Sequence, residues 1–208
     1  MNYDVMVIGG SYAGMAAALQ LLRARRSVLV VDAGKRRNRT AAHSHGFLGQ
    51  DGVDPAELAR VARLQLMAYP TLTWVEGEVE RVTGAKDAFQ LECGGQGYLG
   101  RRVLFATGVL DQLPDIPGLQ ERWGRSVFHC PYCDGYELDQ GSIGVIGTGP
   151  TSIHHAQIVA EWGEVTFLPN RTLEIDQAAA DELAGRGIRI EHTAIQSIEA
   201  DAAVGQVD

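Results

Sequence analysis

Cys130 and Cys133 stand two residues apart in the segment HCPYCDGYE, a spacing that lets two sulfurs close a small, reversible disulfide. The thiolate fraction sets how fast such a pair exchanges. Asp134 follows directly, placed to give protons to a thiolate or take them from a thiol. The same spacing is half of a zinc site. No second CxxC exists, and neither His129 nor the His154–His155 pair gives a recognised ligand spacing. Redox chemistry is therefore expected, and no metal. Cys93, the third cysteine, reads as a small strand residue without a redox role.

Two glycine-rich turns carry the other chemistry. Gly9, Gly10, Ser11, Tyr12, Ala13 and Gly14 fit GxGxxG with Ser11 in the second slot. The first glycine serves the turn, the second small residue lets backbone approach a pyrophosphate, and Gly14 serves helix–strand packing. Asp32, eighteen residues beyond Gly14 at the end of the next strand, is where a carboxylate accepts bonds from a ribose 2′-OH. The second turn reads Gly147, Thr148, Gly149, Pro150, Thr151, Ser152, with Ser152 in the third slot. Its downstream strand ends in Asn170 and Arg171 instead of an acid, which favours a 2′-phosphate and hence NADPH over NADH. His43 and His45, in HSHGFLGQDG, lie in a glycine-rich loop where they either touch a cofactor or are simply solvated.

Those residues need strands and helices to hold them, and an internal repeat supplies them. Residues 5–32 and 143–170 align at a constant offset of 138, each as strand, glycine-rich turn, helix, strand. The run from Val5 to Ile8 is continuously apolar, as in a buried parallel strand. Ala13 to Arg26 predicts a helix with three arginines in its last turn, and Val28 to Val31 a second strand. A further helix starts at Asp54 as N-cap with Pro55 first and Glu57 completing a capping box, and stops at Pro70. Leu72 to Val82, Ala88 to Cys93 and Gly97 to Ala106 read as β segments, with turns at Thr83–Gly84 and Gly94–Gly95. A proline-containing linker begins near residue 113. A helix from Asp176 to Arg186 precedes strand-like runs at 188–192 and 195–200.

The 208 residues carry 18 Lys and Arg against 26 Asp and Glu, a formal charge of −8. This balance argues against nucleic-acid binding, whose footprint is a basic patch. At 45% hydrophobic and 21% charged the composition is that of a folded globular protein. No run approaches the roughly 18 apolar residues of a membrane span, and the N-terminus enters a strand at once, so a cytoplasmic protein without membrane attachment is expected. The pattern predicts an α/β protein with two tandem Rossmann-like dinucleotide-binding domains, residues 1–112 and 113–208, with parallel sheets, a small β meander and an incomplete second domain.

In order, VIGGSYAG, the VVDAG strand end, FATG, the IPG linker, CPYCDG and VIGTGP resemble the low-molecular-weight thioredoxin reductase family of flavoproteins across essentially the whole chain. The resemblance implies that the first domain holds FAD, with Ala106, Thr107 and Gly108 closing over it and Arg39, His45 and Val79 among its contacts. It implies that the second domain holds NADPH and carries the redox disulfide. Cys133 would then lie against the flavin, Cys130 would exchange with a thioredoxin-like protein or small-molecule disulfide, and Asp134 would be the acid/base in a homodimer. HSHGFLGQDG and the GYE after the cysteines resemble a branch of small-molecule dithiol oxidases that pass electrons to oxygen, although those tend to carry His where Asp134 stands. A nucleotide-binding remnant with idle cysteines is the non-enzymatic alternative. The family's returning C-terminal segment has no counterpart here, so a truncated or fragmentary chain is expected.

Overall fold

Strands β1 (Asn2–Ile8) and β2 (Val28–Asp32) lie side by side and parallel, with Val7 opposite Val30. Alternate residues of this pair face opposite sides. Val7, Val28 and Val30 pack with Met15, Ala18, Leu22, Ala59 and Leu66, whereas Met6, Ile8, Leu29 and Val31 pack with Tyr3, Leu91 and Cys93. Burial on both faces is why the runs from Val5 to Ile8 and from Val28 to Val31 within these strands are continuously apolar and do not alternate. The computed structural model describes residues 2–199, in two compact units.

The first unit runs to Ser44 and resumes over Gly52–Asp111. Besides β1 and β2 it contains α1 (Tyr12–Arg23), α2 (Pro55–Met67), β3 (Leu72–Glu76), β4 (Val79–Ala85), β5 (Ala88–Cys93) and β6 (Gln96–Phe105). Its sheet has the order β3-β2-β1-β6-β5-β4. The first four are mutually parallel, and β6, β5 and β4 form an antiparallel meander. This order puts the C-terminal ends of β1, β2 and β6 at one edge, where the loops after them meet.

The second unit comprises His45–Asp51 and the chain from Gln112 onward. It holds α3 (Leu119–Arg122), α4 (Pro131–Asp134), β7 (Ser142–Ile146), α5 (Thr151–Val159), β8 (Glu164–Leu168), α6 (Gln177–Gly185) and β9 (Arg189–Ile190). Its sheet is parallel, β7-β8-β9, over a core of Ala156, Val159, Val165, Phe167, Leu183 and Ile188. The chain is thus a mixed α/β protein with parallel-rich, Rossmann-like sheets. Among the described residues no helix is long and apolar enough to cross a membrane.

Several element ends differ from expectation, each for a local reason. Helix α1 ends at Arg23, not Arg26. Arg25 takes a left-handed φ of 59°, and the Arg25 and Arg26 N–H groups donate to the Leu22 and Leu21 carbonyls. That is a Schellman closure with arginine in the usual glycine place, so only one arginine remains in the last turn. The capping box of α2 does not form. Asp54 accepts from the Ala56 N–H at 2.6 Å, while Glu57 turns to Arg60 with two 2.7 Å bonds. The run from Leu72 to Val82 breaks at Gly77, whose N–H donates to the Asp32 carbonyl. The turn expected at Thr83–Gly84 lies later, because Gly84 (φ 95°) stays paired with Phe89 and the left-handed residue is Asp87. Beyond β9 the run from Ile195 forms no strand through Glu199. Its N–H groups go to Asn170 Oδ1 from Ile195 and to the Pro117 carbonyl from Ile198. Ala200 lies outside the described residues.

Candidate active site

In the first glycine-rich turn the backbone is packed too closely for side chains. Gly9 has φ 100°, and a Cβ there would strike the Ala106 carbonyl oxygen; one on Gly14 would strike the Gly9 carbonyl. A Cβ on Gly10 would lie 2.5 Å from the Trp74 ring and 2.7 Å from the Asp32 Cβ. The Gly10 N–H donates to Asp32 Oδ1 at 3.0 Å, so Asp32 fixes the turn with one oxygen. Ser11 is the N-cap of α1 without a side-chain bond of its own, and Ala13 lies exposed in the first helical turn. The Ala106 N–H donates to the Ile8 carbonyl, which brings the Ala106–Thr107 backbone over Gly9. Gly108, exposed with φ 68°, lets the chain leave that edge.

The loop after β2 is tied to the same region. The Tyr12 hydroxyl donates to the Pro55 carbonyl at 2.9 Å and accepts from Asn38 Nδ2 at 3.2 Å. Arg37 makes a two-point ion pair with Asp111. Arg39 is exposed and donates to the Arg36 carbonyl. Val79 opens β4 and packs on the core face that holds Met6 and Leu91. Arg36 Nε, Asn38 Oδ1 and Trp74 Nε1 are buried with no hydrogen-bond partner among the described residues. Buried polar atoms are nearly always satisfied, so such orphans point to a ligand that completes them. A narrow backbone cradle with unmet polar groups beside it fits a dinucleotide.

The CxxC forms its own short turn. Cys130 caps α4, Pro131 is its first residue, and the Cys133 N–H returns to the Cys130 carbonyl at 3.2 Å. Trp162 is the anvil beneath it. The Tyr132 ring meets Trp162 edge-on at 4.9 Å, and a Cβ on buried Gly135 would lie 2.6 Å from the indole. Cys130 is half-buried and Cys133 exposed. Burial pushes the half-buried Asp134 carboxyl above its ordinary range, Glu137 adds to that, and His45 opposes it. His45, expected near the flavin, sits in the second unit with Glu137 and Asp51.

The second glycine-rich turn is looser. Its Gly147 lies close to Pro169 and Leu173, but no atom lies within 4 Å of a Cβ on Gly149. Buried Ser152 turns its hydroxyl back to accept the Thr148 N–H at 3.0 Å, so one donor of the turn is used internally. Asn170 and Arg171 both take left-handed φ, 51° and 59°, and Arg171 is exposed.

The pyridine nucleotide-disulphide oxidoreductase family profile matches residues 3–207. The chain belongs to that family. Within it the resemblance is to thioredoxin reductases. Thioredoxin reductase tcpT of Claviceps purpurea is 42% identical over 152 residues, covering 71% of this chain and 47% of that protein. Thioredoxin reductase aclD of Aspergillus oryzae is 34% identical over 158 residues, covering 72% and 49%. The crystal structure of an oxidoreductase from Agrobacterium tumefaciens superposes with a TM-score of 0.93 at 54% identity, covering 96% of this chain and 68% of that one. The chain spans about half the length of the curated relatives it matches.

In this member of the family the structure gathers Gly9, Ser11, Gly14, Asp32, Ala106 and Thr107 around one turn, and Cys130, Cys133, Asp134 and His45 around another. Sequence spacing passed over Gly10, although the paired glycines after β1 were its signal. Trp74 and Trp162 had no sequence signal, because their parts depend on which strand and loop come to lie beside the two turns.

Proposed function

We propose that the chain serves an FAD-dependent disulfide oxidoreductase, with NADPH as electron source, Cys130 and Cys133 as the redox pair, and a thioredoxin-like protein or small-molecule disulfide as acceptor. The observation that carries this reading is the CxxC turn braced on Trp162 with Asp134 held toward its neutral form beside it. A carboxyl raised in this way exchanges protons with thiols more readily near neutral pH than an ordinary aspartate. Asp134 therefore takes the proton when a thiol becomes a thiolate and returns it when the disulfide opens. Tyr132 and Tyr136, 76% and 87% exposed, give an incoming partner an aromatic surface beside the pair.

Gly9, Gly10 and Gly14 would admit the pyrophosphate of FAD, Asp32 would hold its ribose, and Arg36, Asn38 and Trp74 would satisfy their open polar atoms on it. Bound flavin supplies the two-electron chemistry that thiols and carboxyls lack. Gly147, Gly149 and Arg171 would receive NADPH. The assembly is read as a cytoplasmic homodimer, as the family resemblance implies.

One feature favours a second reading, a dithiol oxidase in which a dithiol gives up two electrons and two protons and dioxygen takes them up as peroxide. Ser152 has already claimed a backbone donor that a nicotinamide dinucleotide uses. An anaerobic titration decides between the two. Protein incubated with excess FAD and desalted should keep visible flavin absorbance and lose it on adding NADPH. Bleaching by a dithiol alone, reversed by air with peroxide release, selects the oxidase, and no retained absorbance removes both readings.

The 2′-phosphate assignment has its own check. Arg171→Ala should weaken NADPH binding by about 1.5–3 kcal/mol, the range for a hydrogen bond to a charged group, and leave NADH binding unchanged. Equal weakening of both in calorimetry sinks the assignment.

A further inference from the structure

Loop 45–51 and the turn after α4 bring one imidazole between two carboxylates. His45 Nδ1 lies 3.6 Å from Asp51 Oδ1, and Nε2 lies 3.5 Å from Glu137 Oε1. The loop is built to hold this ring. Gly46 and Gly49 take left-handed φ of 77° and 83°, the Gly46 N–H donates to Asp51 Oδ1 at 2.8 Å, and the Gln50 N–H returns to the Phe47 carbonyl. Glu137 belongs to the 3-10 turn Tyr136–Leu138, which follows Asp134 after one glycine. A solvated loop histidine has no reason for a carboxylate at each ring nitrogen.

We propose that His45 is a positioning residue of the dithiol centre, holding Glu137 and setting the charge that Asp134 faces, so that proton exchange between Asp134 and the Cys130–Cys133 pair depends on loop 45–51. This rests on the reading of Asp134 as the acid/base. The step it serves moves one proton and no electrons: the Asp134 carboxylate takes it from a thiol, leaving a thiolate and a carboxylic acid. The charged groups that act on Asp134 include Glu137 from the following turn and His45 from the loop, with Asp51 behind it, and Cys130, Tyr132 and Cys133 lie on the same short turn as Asp134, with Tyr136 just after it. Glu137 and His45 act on Asp134 in opposite senses.

The test reads Asp134 itself. In the reduced, purified chain with carbon-13-labelled aspartate, the Asp134 carboxyl resonance is assigned through Asp134→Asn and titrated with pH. Iodoacetamide alkylation of the thiols is followed over the same range. His45→Asn should move the Asp134 midpoint to higher pH, Glu137→Gln should move it lower, and the inflection that Asp134 imposes on the alkylation profile should move with it. If His45→Asn does not fold, His45→Gln carries the same readout. An Asp134 midpoint unmoved by loss of His45 overturns the proposal. An alkylation profile unchanged in Asp134→Asn shows instead that the acid/base reading has failed, and the proposal falls with it.

Discussion

Cys130→Ser and Cys133→Ser should each abolish disulfide turnover, leaving activity at the background of uncatalysed exchange. A disulfide is made and broken through a mixed-disulfide intermediate that needs one attacking thiolate and one resolving thiol, and neither single-cysteine variant has both. The fold should survive, because Cys130 is only half-buried and Cys133 is exposed, and serine at either place leaves no cavity in a core. The two variants should still differ. The variant that keeps the sulfur that normally attacks the partner should trap a mixed disulfide on it, and the variant that lacks that sulfur should stall without adduct. Family resemblance assigns the attack to Cys130, while exposure in this structure favours Cys133. Mass spectrometry after incubation with an oxidised thioredoxin-like protein or small disulfide separates them: adduct on Cys133→Ser alone selects Cys130, and adduct on Cys130→Ser alone selects Cys133. Full turnover in either variant, or stoichiometric zinc that blocks thiol titration, would show that this CxxC is not a redox pair.

The parts of the fold that could be read from the chain are those governed by burial periodicity. Val5 to Ile8 of β1 and Val28 to Val31 of β2 are continuously apolar because both faces of the sheet are covered, and such runs have little else to be. The ends of elements are harder, since they are settled by single hydrogen bonds. Nothing in the arginine-rich sequence after Leu22 announces that Arg25 will take the left-handed place of a glycine, and nothing in LTWVEGEVERV announces that Gly77 will bond back to Asp32 and split the run in two. The same division runs through the two turns. Gly9, Gly14, Asp32, Cys130, Cys133 and Asp134 were visible because their spacing along the chain is itself the geometry of a turn. Gly10 against Trp74, Gly135 against Trp162, and His45 against Glu137 join segments 27 to 92 residues apart, and no local pattern encodes them. The second glycine-rich turn lies between these cases: its frame was legible, but the use of the Ser152 hydroxyl on Thr148 was not.

Gly14→Ala should be strongly destabilising for a change of one methyl, and its sign is what makes it informative. Inside a helix, alanine is ordinarily favoured over glycine by roughly 0.5–1 kcal/mol, because glycine has more backbone freedom to lose. Gly14 sits in the first turn of α1, buried, where a Cβ would run into the Gly9 carbonyl oxygen and lie 3.3 Å from Val7 Cγ1. The first of these is backbone, so no rotamer change relieves it. Gly9 cannot yield either, since it is held against Ala106 by the β1–β6 edge and its own N–H is bonded to the Val31 carbonyl. Either α1 or the turn must move, and overpacking of a close-packed site costs about 1–3 kcal/mol before any such movement. Against a total stability of about 5–15 kcal/mol, that loss should lower the urea midpoint measurably and reduce FAD retention, because the same turn is the proposed cradle. Gly149→Ala is the matched control. It stands at the corresponding turn of the second unit with no atom within 4 Å of its Cβ position, so its urea midpoint should stay within about 0.5 kcal/mol of the parent, as for an uncrowded surface change. Gly10→Ala should fall between, since the atoms it meets are the side chains of Trp74 and Asp32, which can shift, though at the expense of the Gly10–Asp32 hydrogen bond. A Gly14→Ala protein as stable as the parent and equally able to retain FAD would mean that the packing of Gly14 on Gly9 does not define this turn, and the cradle assigned to it would have to be given up.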